Sequence, residues 1–63
     1  MGKVTFAFTS GKMLTLETLC DDAEEFFVTN SDKDGELPGW LVFSDGYAVQ
    51  TGNVDWMRVE ETS

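Results

Sequence analysis

Bulky apolar residues alternate with small or polar ones on both sides of one glycine: Val4, Phe6 and Phe8 precede Gly11, and Leu14 and Leu16 follow it. A period of two belongs to a strand with one buried face, so this segment predicts a β-hairpin. The loop decides whether the two apolar faces coincide, because a slip of one residue turns every side chain to the other side of the sheet. A two-residue Ser10-Gly11 loop sets Phe8 opposite Met13 and sends Leu14 and Leu16 to the wrong face. A three-residue Thr9-Ser10-Gly11 loop, with glycine at the left-handed bulge position, pairs Phe6 with Leu14 and Val4 with Leu16. The second register is the expectation.

Asp21 followed by Glu24 is a helix N-cap signature, since an aspartate accepts from unpaired backbone amides and acidic side chains suit the positive end of the helix dipole. The helix is expected to end near Asn30, with Ala23, Phe26 and Phe27 on its buried stripe and Asp22 and Glu25 turned outward. So short a helix depends on packing against a sheet. Asn30 to Gly39 reads as a polar loop, and Pro38-Gly39 resets the chain direction. Trp40 to Phe43, then Ser44-Asp45-Gly46, then Tyr47 to Thr51 reads as a second hairpin. If that loop repeats the three-residue device, Leu41, Phe43, Tyr47 and Val49 share a face; a two-residue Asp45-Gly46 turn would set Val42 with Val49 instead. A Gly52-Asn53 turn would then lead into a last strand, Val54 to Glu60, with Trp56 opposite Val49 and mainly buried.

The resulting order, ββαβββ, makes residues 1–63 a single α+β domain. Two architectures suit it: a strongly curved five-stranded antiparallel sheet or small barrel, its last strand returning beside the first and its one short helix at an end, or a β-grasp-like arrangement of the early hairpin and helix. The closing strands favour the first. A chain of 63 residues buries only about 60% of the surface its unfolded form exposes, so most aromatics are needed for the core.

Charge is unevenly distributed. From Glu17 to Glu36 there are eight acidic residues and one basic residue, Lys33, a net −7 within a total of −8. Such a field repels phosphate backbones and anionic lipid, which excludes direct nucleic-acid and membrane binding and favours a protein partner with a basic surface. Cys20 stands alone, so no disulfide forms within the chain, and Met1 to Lys3 runs straight into strand alternation. A cytoplasmic protein is expected.

The Trp40-led strand, Phe43-Ser44-Asp45-Gly46, Asn53-Val54 and Val59-Glu60-Glu61 together resemble a pattern common in small phage- and prophage-encoded proteins. That kind includes acidic inhibitors of host enzymes and defence systems, and the resemblance implies a host protein as target.

No histidine is present to act as a base near neutral pH, and Cys20 has no activating neighbour in the sequence, so neither an enzyme nor a cofactor is expected. Cys20 reads as a small buried hydrophobe. Asn30-Ser31-Asp32-Lys33-Asp34-Gly35-Glu36-Leu37 resembles the first eight positions of an EF-hand calcium loop, with Asn30, Asp32, Asp34 and Glu36 as the candidate oxygen ligands. Asn30 at position one and Leu41 at position twelve depart from that pattern, so the preferred reading is a plain acidic turn without metal; the alternative is weak, partly hydrated calcium binding. The expected partner site comprises Asp22, Glu25, Asp32, Asp34 and Glu36, with Trp40 as an apolar anchor. The competing reading is a homodimer or assembly component joined through an exposed sheet face carrying Trp40, Val42, Ala48, Met57 and Val59.

Overall fold

A computed structural model describes residues 1–62. Strands β1 (Gly2–Phe8) and β2 (Met13–Thr18) form an antiparallel hairpin in which Phe6 opposes Leu14 and Val4 opposes Leu16. The three-residue loop closes it: the Phe8 amide donates to the Lys12 carbonyl at 2.8 Å, the Gly11 amide donates to the Phe8 carbonyl at 2.9 Å, and Gly11 sits at φ 90°. Only glycine adopts that conformation without strain. The loop glycine thus sets the register that buries both leucine positions on the side of Val4 and Phe6.

Helix α1 (Ala23–Asn30) is capped by Asp22, not by Asp21 as the sequence spacing predicts; the Asp22 carboxylate accepts from the Glu25 amide at 2.8 Å. Asp21–Glu24 and Asp22–Glu25 offer the same spacing, and Asp21 is drawn instead to the Met1 amino group, 3.1 Å away. The buried stripe is narrower than predicted. Phe26 is 1% exposed, whereas Ala23 and Phe27 lie at the surface, because two turns of helix meet the core at a single position.

Strands β3 (Trp40–Val42) and β4 (Ala48–Gln50) form the second hairpin, with Leu41 opposite Val49 and Val42 opposite Ala48. Its loop repeats the first device: the Phe43 amide donates to the Tyr47 carbonyl at 2.8 Å, the Gly46 amide donates to the Phe43 carbonyl at 3.1 Å, and Gly46 sits at φ 95°. The register in which Val42 meets Val49 does not occur.

The expected continuation of this meander does not form. After β4 the chain makes a single 3-10 turn, Thr51–Asn53, and β5 (Val54–Glu61) leaves the second hairpin to pair antiparallel with β1. Thr51 closes the second hairpin, donating its amide to the Gly39 carbonyl at 2.9 Å and its hydroxyl to the Pro38 carbonyl at 2.7 Å, and beyond the turn the Thr9 amide donates to the Asn53 carbonyl at 2.9 Å, which starts the pairing with β1. Trp56 therefore opposes Ala7 rather than Val49 and is 47% exposed, not buried. Met57 opposes Phe6 and Val59 opposes Val4, so both pack on the core instead of lining an outer face. The extra residue at Asp55 is a bulge between the Ala7–Trp56 and Phe8–Val54 pairs.

The protein is thus a small α+β fold of order ββαβββ, with one sheet in the order β2-β1-β5 and a second, two-stranded sheet β3-β4. The last strand does return beside the first, but among the described residues no ladder joins the two sheets and the barrel is not closed. The β-grasp-like alternative is not the observed topology. Val4, Phe6, Leu16, Cys20, Phe26, Leu41 and Val49 form the core. Phe6 links its parts: its ring lies 6.3 Å from that of Phe26 on the helix and 5.9 Å from that of Phe43 beside the second hairpin, both edge-to-face. Gly2 is buried where β1 passes between two backbones, and a Cβ there would overlap the carbonyl oxygens of Cys20 and Glu60. Among the described residues no helix is long and apolar enough to cross a membrane.

Candidate partner-binding site

The polar stretch between α1 and β3 is folded by backbone bonds of a kind already met twice in this chain. The Asp32 amide donates to the Glu36 carbonyl at 2.7 Å, the Gly35 amide donates to the Asp32 carbonyl at 3.0 Å, and Gly35 lies at φ 78°. This is the hairpin loop of Gly11 and Gly46 without strands attached. The Asp32 carboxylate locks it from inside, one oxygen accepting from the amides of Asp34 at 2.9 Å and Glu36 at 3.2 Å. Loop geometry alone thus accounts for a glycine at position six of the calcium-like motif.

The four candidate calcium ligands are not gathered into one cluster. The Asn30 side-chain amide turns back to donate to the Phe26 carbonyl at 2.8 Å, Asp32 is engaged by two backbone amides, and Asp34 and Glu36 lie at the surface. Among the described residues no three or more His, Cys, Asp or Glu side chains converge to hold a metal ion. Cys20, 5% exposed, is part of the core, where a thiol packs as a small apolar group.

All six predicted partner residues are exposed: Asp22, Glu25, Asp32, Asp34, Glu36 and Trp40. They fall into two groups rather than one. Asp22 and Glu25 stand at the first turn of α1, while Asp32, Asp34 and Glu36 follow its last turn. Five helical residues, Phe26 to Asn30, stand between Glu25 and the second group, about 8 Å along the helix axis. That is about one Debye length at physiological ionic strength, so the fields of the two groups overlap in part. Trp40 follows the second group in the chain. It is 57% exposed and only four residues beyond Glu36, a reach of at most about 14 Å.

The outer face of the second hairpin carries Trp40, Val42 and Ala48, all exposed, with Val42 at 81%. The sequence also offers a signal that the charge argument passes over. Leu19 breaks the phase of Leu14 and Leu16, and it is 79% exposed just beyond β2. Leu19 and Val42 lie on the lining of one open groove of about 310 Å³ between the end of β2 and β3, which Cys20, Phe26 and Leu41 also line.

The fold and its surface define a small acidic α+β domain with apolar side chains exposed beside carboxylates. No protein family, curated protein or solved structure matches this chain.

Proposed function

We propose that this protein is a small, acidic, non-catalytic binding protein of phage type that works in the host cytoplasm by engaging a host protein with a basic surface. Asp32, Asp34 and Glu36 supply the field that steers the encounter, and Trp40 supplies the apolar anchor, since charges at an interface rim raise association rate more than affinity while buried aromatics carry affinity. Asp22 and Glu25 extend the same field at the far end of α1. The observation that carries the reading is the exposure of Trp40, at 57%, a few residues from an exposed carboxylate turn. Large aromatics in a domain of this size are otherwise needed inside.

Capture from host lysate with the tagged domain, followed by a salt titration of each captured complex, tests the proposal. Binding is expected to weaken as ionic strength rises, to drop in D32N/D34N/E36Q and to disappear in W40A. An affinity that does not change with salt refutes the electrostatic part.

A second reading rests on the outer face of β3 and β4. Trp40 and Val42 project from one side of a two-stranded sheet, a surface that suits symmetric self-association. A molecular mass by size exclusion that doubles with concentration in the wild type and stays monomeric in V42K would favour it.

A further inference from the structure

The seam where the barrel stays open carries the inference. Backbone groups along a strand point alternately to its two sides, so the observed ladders fix which residues face the gap. In the first hairpin Phe8 bonds Lys12, so Leu14, Leu16 and Thr18 spend their amides and carbonyls on β1, and Glu17 turns its own away from it. In the second hairpin Phe43 bonds Tyr47, so Leu41 bonds Val49, and Val42 turns its amide and carbonyl away from β4. Both β2 and β3 are edge strands, and Glu17 and Val42 both line the groove of about 310 Å³ between them. An unpaired strand edge is a template for another chain, and here two such edges border one cleft.

We infer that this groove binds a short extended peptide segment by strand addition, one residue of the segment bonding the Glu17 backbone and the next bonding Val42. Such a segment needs no more than about three residues at 3.3 Å each, in keeping with the small groove. Its side chains would alternate in chemistry. Those turned inward meet Cys20, Phe26 and Leu41, so they are apolar. Those turned outward lie beside the Glu17 carboxylate, which projects from the outer face of the first sheet opposite Lys3, so they are basic. Opposite charges on neighbouring strands attract, and like charges there are unfavourable. The same rule disfavours a second copy of this chain as the occupant, because it would bring another net −8 against the edge. The inference rests on the reading of the chain as a binding module and adds a contact separate from the Asp32–Glu36 turn.

The test uses an acetylated, amidated heptapeptide of alternating Lys and Val, titrated into the full chain while amide hydrogen exchange is followed by NMR. Exchange at Glu17 and Val42 is expected to slow at least tenfold at saturation, a heptapeptide of alternating Glu and Val should bind at least tenfold more weakly, and backbone N-methylation of the Lys/Val peptide should abolish the slowing. Unchanged exchange at both amides overturns the inference, as does equal binding of the N-methylated peptide. Slowing that grows with protein concentration in the absence of peptide overturns it in favour of a second copy. In D32N/D34N/E36Q the slowing should persist. Its loss there would assign the peptide to the acidic turn and overturn the groove alone, whereas its persistence together with undiminished lysate capture would overturn the turn alone.

Discussion

The two hairpins of this protein share a closing device and differ in almost everything else. Phe8-Thr9-Ser10-Gly11-Lys12 and Phe43-Ser44-Asp45-Gly46-Tyr47 make the same pair of backbone bonds around a left-handed glycine. In the first, β1 is flanked by β2 on one side and β5 on the other, and Val4 and Phe6 are 0% and 1% exposed. In the second, two strands of three residues each pair only with one another, and their outer face is open. Turn chemistry sets register locally; what holds the register is the burial that later parts of the chain add. The first hairpin receives β5 on one side and the helix on its core face, whereas both strands of the second are edges and its outer face exposes Trp40 and Val42, where a partner has something to bind.

The largest expected effect breaks the comparison at its centre. Phe6→Ala removes the ring that touches both Phe26 and Phe43, and a buried Phe→Ala change costs about 3–5 kcal/mol. A domain of 63 residues has about 3–9 kcal/mol in all, so this variant should lose a third or more of its stability, read in urea melts followed by far-ultraviolet circular dichroism. Leu41→Ala in the second hairpin is expected to cost about 2 kcal/mol, the lower end for Leu→Ala, because Leu41 lines an open groove whose walls can close on the vacated space. A Leu41→Ala variant as unstable as Phe6→Ala would mean that the two hairpins contribute equally.

Much of this arrangement is legible in the sequence, and the remainder is illegible for physical reasons. The first three-residue loop follows from alternation plus a glycine, because only that register sets Leu14 with Phe6; the second stays open in the sequence, since Val42 is as apolar as Leu41, and the structure decides it by pairing Leu41 with Val49. The helix end at Asn30 is legible, but its start is ambiguous: Asp21 and Asp22 carry the same spacing to a glutamate, and the structure places the cap on Asp22. The return of β5 beside β1 is legible, and the expected pairing of β5 with β4 is the main miss. A short Gly52-Asn53 turn reads as a hairpin onto β4, but the chain makes a 3-10 turn there, and the Thr9 amide holds the Asn53 carbonyl at the start of the pairing with β1. That miss also misplaces Trp56, Met57 and Val59. Among the candidate site residues, exposure is legible from charge, whereas the division into two groups depends on the helix lying between them.

Exchanging the loop glycines sharpens the comparison at intermediate scale. A non-glycine residue held in the left-handed region costs about 1–2 kcal/mol, provided the surroundings hold it there. At Gly11 they do, since relaxation would break the pairing of Phe6 with Leu14, so Gly11→Ala should lower the free energy of unfolding by about 1–2 kcal/mol in urea melts. At Gly46 the shorter hairpin can relax by partial opening, which caps the cost at about 1 kcal/mol and should speed amide exchange in β3 and β4 more than in β1. Equal losses of global stability in the two variants would show that the second hairpin is as rigidly held as the first.

The third copy of the device takes the same logic to its limit. Asp32 to Glu36 makes the same two backbone bonds around Gly35, but no strand continues from either end and the turn is closed by the Asp32 carboxylate. Strain introduced by Gly35→Ala therefore has no ladder to break and can be relieved by opening the turn itself. The change in global unfolding free energy should stay within about 0.5 kcal/mol, as for surface substitutions generally, while exchange at the Glu36 amide accelerates. Since the same turn carries the carboxylates proposed to meet a partner, Gly35→Ala should also weaken salt-dependent capture without unfolding the domain. A global loss above about 1 kcal/mol would mean that the acidic turn is coupled to the core as tightly as the first hairpin, and that flanking strands are not what distinguishes the three loops.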